Sequence, residues 1–321
     1  MGSSICKLAV LLLLQATALP SVPQQVSGRI VRPGGERVEP VSGAWVVLHR
    51  VGPDSAGPRD SVRSDSRGRY SFKYTRTGSA DAIYFVSASH DGIAYFTPPL
   101  AEGRVSGDDG EITVFDTTSG HVPMSLRGHH VVVSAADANA RRSIVEVYDL
   151  SNDSSVTRVA AADNPASTTW QTHIVRGAAD FKVSQGDFSA AAVTYANGVV
   201  SVFAPLAPGI KQLSFSYSLP AKSFPLKLPL ETETGIYEIL IEEKAGNVTG
   251  PHLKEVDPVT VDDRNFRRFL ASDMPEKSVA VIDLPPPPPA TQSIDPRYLV
   301  ALTLLIGGVM VLALAQALRR R

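Results

Sequence analysis

The chain has 321 residues and a formal net charge of −1, with 43% hydrophobic and 20% charged residues. This composition predicts a packed core and excludes a wholly disordered chain, while 24 Gly and 24 Pro fall well short of a collagen-like content. Five of the 31 basic residues lie outside residues 19–296, so this body carries a net charge of −6. Because phosphate contacts need clustered Lys and Arg, we expect no nucleic-acid partner.

Residues 1–18 have the pattern of a cleaved secretory signal peptide. Lys7 supplies a positive charge, an apolar run follows from Leu8 to Leu14, and Ala16-Thr17-Ala18 fits the small-x-small cleavage pattern. An uncleaved anchor needs roughly 20 apolar residues, about twice the number present. The only cysteine, Cys6, lies in this segment, so cleavage leaves a chain without disulfides, thiolate nucleophiles or Cys-bound zinc.

The body between Val26 and Leu284 consists of short runs that alternate with period two and are separated by Gly, Pro, Asn and Asp. This pattern predicts an all-β protein built from antiparallel sheets. The clearest predicted strands are 69–74, 144–150, 211–218 and 236–241. Tight turns are predicted where two successive residues tolerate positive φ, at Gly34-Gly35, Asp91-Gly92 and Asn197-Gly198.

Residues 24–97 contain a series of short motifs in a fixed order, which are Val26-Ser-Gly28-Arg-Ile30-Val31, Val41-Ser-Gly43-Ala44-Trp, Asp65-Ser-Arg-Gly68-Arg-Tyr70-Ser-Phe72 and Tyr84-Phe-Val86-Ser-Ala88. This order resembles carboxypeptidase regulatory-like domains. The resemblance implies a transthyretin-like β-sandwich that accompanies a peptidase or a receptor and hydrolyses nothing itself.

The turn within this stretch is its most specific motif. Asp65 is placed to hydrogen-bond the turn backbone, and Gly68 supplies a flexible φ. Tyr70 and Phe72 then enter the predicted core on one face of a strand. We therefore expect these four residues to define the fold of the first domain and to have no catalytic role.

A second β-sandwich domain is predicted over residues 111–284, after a linker within 97–110 that is rich in Gly, Pro and Asp. The acidic cluster of Asp108, Asp109 and Glu111 offers oxygen ligands suited to Ca²⁺, but a solvated linker is the favoured interpretation. The run Pro208 to Pro220, with Thr169-Trp170, resembles the part that follows such a first domain in a group of bacterial envelope proteins. That resemblance implies no activity.

The C-terminal residues predict a membrane anchor. Residues 285–297 begin with five successive prolines, which favour a semi-rigid polyproline II stalk. Residues 298–318 carry no charge and are long enough for a transmembrane helix, and the arginines at 319–321 form a cytoplasmic tail by the positive-inside rule. We expect a single-pass protein on the secretory route, with its ectodomain periplasmic or extracellular.

The sequence offers few candidates for catalysis. His252-Leu253-Lys254-Glu255 has the His-x-x-Glu spacing of zinc carboxypeptidases, but no histidine follows His252 to supply that family's third ligand. His129 and His130 would point to opposite faces of a strand, which disfavours joint metal binding. Nucleophile-elbow, P-loop and His-Glu-x-x-His motifs do not occur. We therefore expect no catalytic residues, no metal, no cofactor and no enzyme activity.

One strand of the first domain presents a candidate binding face. If Ala44, Val46 and Leu48 enter the core as in the resembled family, Trp45 and His49 lie on the opposite face. With Tyr95 or Phe96 nearby, an exposed Trp45 would form a stacking platform for a sugar ring or an apolar peptide. Packing of this face against the second domain is the alternative, and it is the simpler explanation.

These features together predict a non-enzymatic, membrane-anchored envelope protein. Its ectodomain would act as a binding or scaffold module for a protein partner in the same membrane or envelope. The alternative is a receptor module that binds a glycan or peptide at Trp45. Exposure of Trp45 discriminates, because a buried ring would exclude the receptor.

Overall fold

The structure is a computed structural model that describes residues 22–286, except residues 36, 102, 165, 185 and 262. The predicted signal peptide, the stalk beyond Pro286, the predicted transmembrane helix and the tail lie outside these residues. Within the described part, no helix is long and apolar enough to span a membrane. Its regular structure is β-strand apart from three short 3-10 helices, Gly107–Gly110, Ala190–Ala192 and Ala221–Ser223. The all-β prediction is therefore confirmed.

Two compact units divide the described chain. Residues up to Val114 form the N-terminal unit, and residues from Phe115 onward form the C-terminal unit. The strands of the N-terminal unit are β1 (Pro23–Gly34), β2 (Arg37–Pro40), β3 (Trp45–Val51), β4 (Ala56–Arg63), β5 (Arg69–Thr75), β6 (Ile83–His90), β7 (Ile93–Phe96), β8 (Arg104–Val105) and β9 (Ile112–Thr113).

The N-terminal unit contains two sheets in a sandwich-like arrangement. One has the order β2-β1-β5, with β8 and β9 parallel to β1, and the other has the order β4-β3-β6-β7. Tyr74 of β5 stacks on Tyr84 of β6, with ring centroids 5.2 Å apart, so the sheets face each other. Buried apolar side chains alternate along the strands of both sheets and fill the space between them: Val26, Ile30, Val46, Leu48, Tyr70, Phe72, Tyr84 and Val86.

The first unit continues beyond the boundary predicted within residues 97–110. Leu100 and Val105 are buried, and β8 and β9 add to the sheet that contains β1. The Gly-rich segment between these strands is the 3-10 helix Gly107–Gly110, whose last carbonyl accepts a hydrogen bond from the Tyr70 hydroxyl at 2.6 Å. The Gly, Pro and Asp residues of this segment thus lie in turns. The few apolar residues between them are buried and hold the segment against β1.

Residues 117–283 supply the strands of the C-terminal unit, which are β10 (Thr117–Thr118), β11 (Met124–Ala136), β12 (Arg141–Asn152), β13 (Thr157–Arg158), β14 (Trp170–His173), β15 (Ala179–Val183), β16 (Val193–Ala196), β17 (Val199–Val202), β18 (Gly209–Pro220), β19 (Leu226–Pro229), β20 (Thr234–Ile241), β21 (Asn247–Thr249), β22 (Lys254–Val261), β23 (Arg264–Met274) and β24 (Val279–Asp283). The four clearest predicted strands lie within β5, β12, β18 and β20. The predicted turns at Asp91-Gly92 and Asn197-Gly198 have positive φ at both residues.

A seven-stranded sheet with the order β15-β18-β12-β11-β20-β23-β22 organises this unit. Its neighbours are antiparallel except for β11 and β20, which are parallel. Two three-stranded sheets, β14-β17-β16 and β19-β24-β21, contribute to the main core on one face of the large sheet. A smaller cluster around Val132, Val145 and Phe266 lies on the other face. The central strands are therefore buried on both faces.

Arg142 of β12 fixes the end of the described chain to the large sheet. Its side chain is fully buried and donates hydrogen bonds to the Ser134 carbonyl at 3.2 Å and to the Glu243 carboxylate at 2.9 Å. A third hydrogen bond, of 3.0 Å, reaches the Pro285 carbonyl. The first proline of the predicted stalk is thus bound to a strand in the middle of the sheet.

The contact of β1 with the 3-10 helix generates a prediction for stability. A side chain at Gly28 would overlap the backbone carbonyl of Gly110, and neither backbone segment has room to move. We expect Gly28→Ala to lower the free energy of unfolding of the N-terminal unit by about 2–3 kcal/mol, the usual cost of overpacking. Denaturant titration followed by Trp45 fluorescence, in a Trp170→Phe background, measures this change.

Ser71→Ala is the matched control. Ser71 is exposed on β5 opposite Ser27 in the same ladder. We expect its effect to stay below about 0.5 kcal/mol, as for ordinary surface changes. Equal midpoints for the two variants would show that the close approach of β1 and the 3-10 helix does not limit stability.

Candidate functional site

The turn between β4 and β5 has the geometry predicted for it. The Asp65 carboxylate accepts hydrogen bonds of 2.8 Å from the backbone N–H groups of Arg67 and Arg69. These bonds, first of all that from Arg69, hold the pKa of Asp65 below its ordinary value. Gly68 has a φ of 72°, and Tyr70 and Phe72 are buried. All four residues serve the fold of the N-terminal unit.

The outer face of the sheet β4-β3-β6-β7 is open and apolar. Trp45 is 46% exposed, Phe96 is 58% exposed and Ile83 is 46% exposed. Directly paired residues of antiparallel strands share a face, and the ladders pair Trp45 with Ser89, His49 with Phe85, Val51 with Ile83, and Phe96 with Ser87. We call Trp45, His49, Val51, Ile83, Phe85 and Phe96 the Trp45 face.

Ring contacts hold the Trp45 face in shape. His49 stacks on Phe85 with ring centroids 5.0 Å apart and hydrogen-bonds the Ser87 hydroxyl at 2.8 Å. Phe96 meets Phe85 edge-on at 5.7 Å, and the Arg63 guanidinium lies over the Trp45 ring at 5.2 Å. Partial burial lowers the pKa of His49, which favours its neutral form. The face is thus a preformed surface with little formal charge at its centre.

One of the four predicted binding residues lies elsewhere. Tyr95 follows the alternation of β7 and points inward, where it is only 8% exposed. Trp45, His49 and Phe96 do come together on the outer face. Sequence analysis allowed either Tyr95 or Phe96 because the phase of a four-residue strand is not evident before its pairing with β6 is known.

The residues weighed as metal ligands have other roles. Glu255 of β22 forms an ion pair with Arg267 at 2.7 Å, and the exposed His252 lies in the preceding turn with a φ of 59°. Glu111, from the acidic cluster of the predicted linker, binds Arg29 at 2.8 Å. His129 and His130 contact different groups on opposite faces of the large sheet, as their adjacency predicted.

Sequence analysis missed a polar network within the main core of the C-terminal unit. Glu146 of β12 is only 2% exposed, and its carboxylate accepts hydrogen bonds from the hydroxyls of Tyr148 at 2.5 Å and Tyr217 at 2.6 Å. The Nε2 atom of His129 lies 2.8 Å from the same carboxylate. The sequence did not predict the burial of this acid or its three partners, because the partners come from three different strands, β11, β12 and β18.

Electrostatics keep this carboxylate charged. Burial alone would raise the pKa of Glu146, but the hydrogen bond and charge of His129 and the two tyrosine hydroxyls bring it below its ordinary value. Burial, followed by the negative charge of Glu146, raises the pKa of Tyr148 and Tyr217 well above 10. The tyrosines therefore remain donors at all physiological pH values.

A second network lies on the opposite face of the same sheet. His130 Nδ1 is 2.6 Å from the Glu238 carboxylate, whose other oxygen accepts a 2.5 Å hydrogen bond from Arg268. His130 Nε2 lies 3.8 Å from Asp149, which also accepts a hydrogen bond from Gln212 at 3.1 Å. Burial would lower the pKa of His130, but the two carboxylates raise it. The charged form of His130 is therefore favoured more than that of a free imidazole.

Comparisons with known proteins add little to this description. No protein-family model matches the chain, and no curated protein matches it. Among solved structures, one match is a mutant M1 zinc metallopeptidase from Deinococcus radiodurans bound to a Tyr-Ser-Ala substrate, with 9% identity and a TM-score of 0.29. The match covers 50% of this chain and 42% of that chain. A likeness at this level carries no argument about activity.

The buried carboxylate generates a prediction for the C-terminal unit. Glu146→Leu would leave the two tyrosine hydroxyls and His129 without their acceptor inside the core. We expect the free energy of unfolding to fall by about 3–5 kcal/mol, since breaking a buried ionic network strands its other members. Trp170 contacts Tyr148, so its fluorescence in a Trp45→Phe background follows the transition.

Glu233→Leu in the same unit is the control, because Glu233 is exposed. It should move the unfolding midpoint only slightly. If Glu146→Leu were as stable as this control, the network would be dispensable for the fold.

The His130 network predicts a pH dependence. Because the folded state raises the pKa of His130 above its ordinary value of 6.5, the contribution to stability is complete below pH 6.5. It declines by at most about 1.4 kcal/mol per pH unit as the pH rises towards the raised value. The pKa of Glu238 is lowered, so its contribution exists above pH 4.5 and is lost as the pH falls through the lowered value.

Denaturation of the full-length protein between pH 5 and 9 measures this dependence through Trp170. The difference between the original chain and a His130→Gln variant should shrink as the pH rises above 6.5. Glu238→Gln offers a second test in a series extended to lower pH, where its difference should shrink only as the pH falls below 4.5. A difference that is constant over the range would contradict a charged His130.

Proposed function

We propose that this protein is a non-enzymatic, membrane-anchored binding or scaffold protein that holds a protein partner of the same membrane or envelope on the Trp45 face. The observation that carries the proposal is the exposure of Trp45, Ile83 and Phe96 on one open sheet face. Monomeric proteins rarely leave such contiguous apolar surface in water, and large patches of this kind mark interaction sites. Aromatic residues in particular supply binding energy at interfaces.

The partner that this face suits best is a protein with an apolar surface. Exposed Val51 and Ile83 extend the Trp45 face beyond its aromatic rings. A sugar platform combines a stacked ring with polar groups that bind hydroxyls, whereas aliphatic side chains offer no such bonds. Arg63 over Trp45 and His49 beside Ser87 do supply polar atoms. They support a glycan or peptide receptor as the second candidate.

A transthyretin-like fold for the N-terminal unit is part of the proposal. Support comes from the two facing sheets and from the turn of Asp65 and Gly68 that leads Tyr70 and Phe72 into the core. This arrangement agrees with what the resemblance to carboxypeptidase regulatory-like domains implies. The C-terminal unit, with its large sheet facing two smaller ones, is proposed as the second β-sandwich domain.

Membrane attachment and the lack of catalysis are proposed from the sequence. Residues 298–318 are uncharged and are followed by three arginines, which supports an anchor with a cytoplasmic C-terminus. Five prolines from Pro285 support a stalk between the ectodomain and the bilayer. The signal-peptide pattern of residues 1–18 supports export, and the same sequence offers no nucleophile motif or complete metal-ligand set.

Site-specific photo-crosslinking tests the proposed surface in the cells that produce the protein. A photoreactive residue at Ile83 should give an adduct with one protein partner, since Ile83 lies on the Trp45 face. The same residue at Lys73, exposed on the other sheet, should give none. Replacing Trp45 and Phe96 together by Ser should reduce the Ile83 adduct at least about tenfold, as expected for interface anchors.

Two further results separate the candidates. The first is that the full-length chain retains the crosslinked protein, whereas a chain without residues 298–321 does not. This result would place the partner in the membrane. An adduct that is digested by glycosidases and survives the deletion would instead establish the receptor for a soluble glycan. Equal adducts from Ile83 and Lys73 would refute the Trp45 face as a binding surface.

A further inference from the structure

Strand β14 is an edge strand of the C-terminal unit, and part of its backbone is unpaired. It pairs only with β17, and the Ile174 N–H donates to the Gly198 carbonyl at the end of this ladder. Because hydrogen-bonded pairs alternate in an antiparallel ladder, Thr172 also faces β17, whereas Gln171 and His173 direct their N–H and C=O groups to the free edge. No described residue hydrogen-bonds the backbone of Gln171 or His173. Each of the two therefore offers one donor and one acceptor at this edge.

The edge of β14 lacks the features that block the addition of a strand. Proteins protect edge strands with proline, lysine or a bulge. Both edge strands of the large sheet, β15 and β22, have a bulge, and β22 also contains Pro258. Strand β14 contains no proline or lysine, and its pairing with β17 has no shift of register. It can therefore pair on its free side, and its four residues limit the added strand to a short segment.

A pocket lies along this free edge. Its lining combines residues 170–172 of β14 with residues 229–232 at the end of β19 and with Leu126, Tyr148 and Leu150 of the large sheet. Gln171 is exposed and Thr172 is buried, yet both line the pocket, which places it at the edge of the strand. The exposed side chains of His173 and Glu231 contact each other, so the segment 229–232 lies next to β14. A strand added to β14 would run over this pocket.

The interior of the pocket favours an aliphatic side chain. Leu150 supplies an apolar wall that is only 2% exposed. The buried polar groups of the lining already have partners within the protein. His129 Nε2 lies 2.8 Å from the Glu146 carboxylate, and the Thr234 hydroxyl donates to the Thr232 carbonyl at 3.1 Å. An aliphatic group gains from burial here, whereas a charged group would lose its hydration without a free buried partner.

We propose that β14 binds an extended segment of another protein chain, which adds a strand to the β14-β17-β16 sheet and places an aliphatic side chain in the pocket. In this mode of binding, main-chain hydrogen bonds supply affinity and pockets for alternate side chains supply specificity. The contact between His173 and Glu231 is exposed and contributes little, so the added strand can displace it. The site lies within the C-terminal unit and does not depend on the Trp45 face.

Fluorescence titration of the full-length protein in neutral detergent tests this site. The probe is the peptide acetyl-Lys-Thr-Val-Thr-Val-Thr-Lys-amide, which alternates polar and aliphatic residues. The chain has two tryptophans, so a Trp45→Phe background leaves Trp170, at the pocket, as the only reporter. We expect a saturable change with a Kd on the order of 0.1–1 mM, as suits a few main-chain hydrogen bonds and one buried side chain. Serine in place of both valines should weaken binding about tenfold.

Two matched comparisons test the main-chain hydrogen bonds. N-methylation of the threonines, or of the valines, removes one set of peptide N–H donors and keeps every side chain. Because one set faces β14, at least one of these peptides should bind about tenfold more weakly.

The second comparison changes the protein. Gln171→Pro removes the N–H at the free edge, whereas Gln171→Ala keeps it. The proline variant should bind the valine peptide about fivefold more weakly, and the alanine variant should bind it as the original chain does. If Gln171→Pro does not fold, the N-methylated peptides decide on the original chain.

Several results would overturn the inference. They are full affinity of both N-methylated peptides, equal affinities of the Gln171→Pro and Gln171→Ala variants, and equal binding of the valine and serine peptides. If the fluorescence of Trp170 does not respond, calorimetry at the same concentrations decides, and the absence of a binding heat refutes the site. None of these results bears on crosslinking from Ile83.

Discussion

The burial of an ionised carboxylate at the centre of the large sheet constrains the whole C-terminal unit. Glu146 is held by one donor from each of three adjacent strands, namely His129 of β11, Tyr148 of β12 and Tyr217 of β18. A shift of one residue in either strand pairing would turn a donor to the other face of the sheet and leave the charge unpaired. The network therefore specifies register where apolar side chains alone would tolerate slippage.

Each face of this sheet carries its own network of charged residues. Glu146 and its tyrosines lie in the main core, while His130, Glu238 and Arg268 lie on the face with the smaller apolar cluster. Neighbouring residues of β11 thus anchor two networks through opposite sides of one strand. The N-terminal unit differs, because its interior is mainly apolar, although Arg50 is also buried, and its unusual feature is apolar surface left in water.

Period two was clearest in strands that have one buried face, although strands within β12 and β20, which are buried on both faces, were also predicted. Leu213, Phe215 and Tyr217 alternate with smaller polar residues in β18, and Tyr70 and Phe72 do so in β5, so period two was visible. Strand β11 was predicted only as a strand that carries His129 and His130, without bounds, because burial on both faces makes its centre a continuous run in which His130 and Val131 are equally hidden. The placement of Glu146 or Arg142 in the interior depends on partners that are distant in the sequence.

The hydrogen bond between Arg142 and the Pro285 carbonyl ties the end of the described chain to a second sheet, so that a pull on this end acts on more than β24. Tension applied beyond Pro285 is delivered to β12, a strand hydrogen-bonded on both sides along twelve residues. The two long ladders of β12 then share the load with the pairings of β24 with β19 and β21.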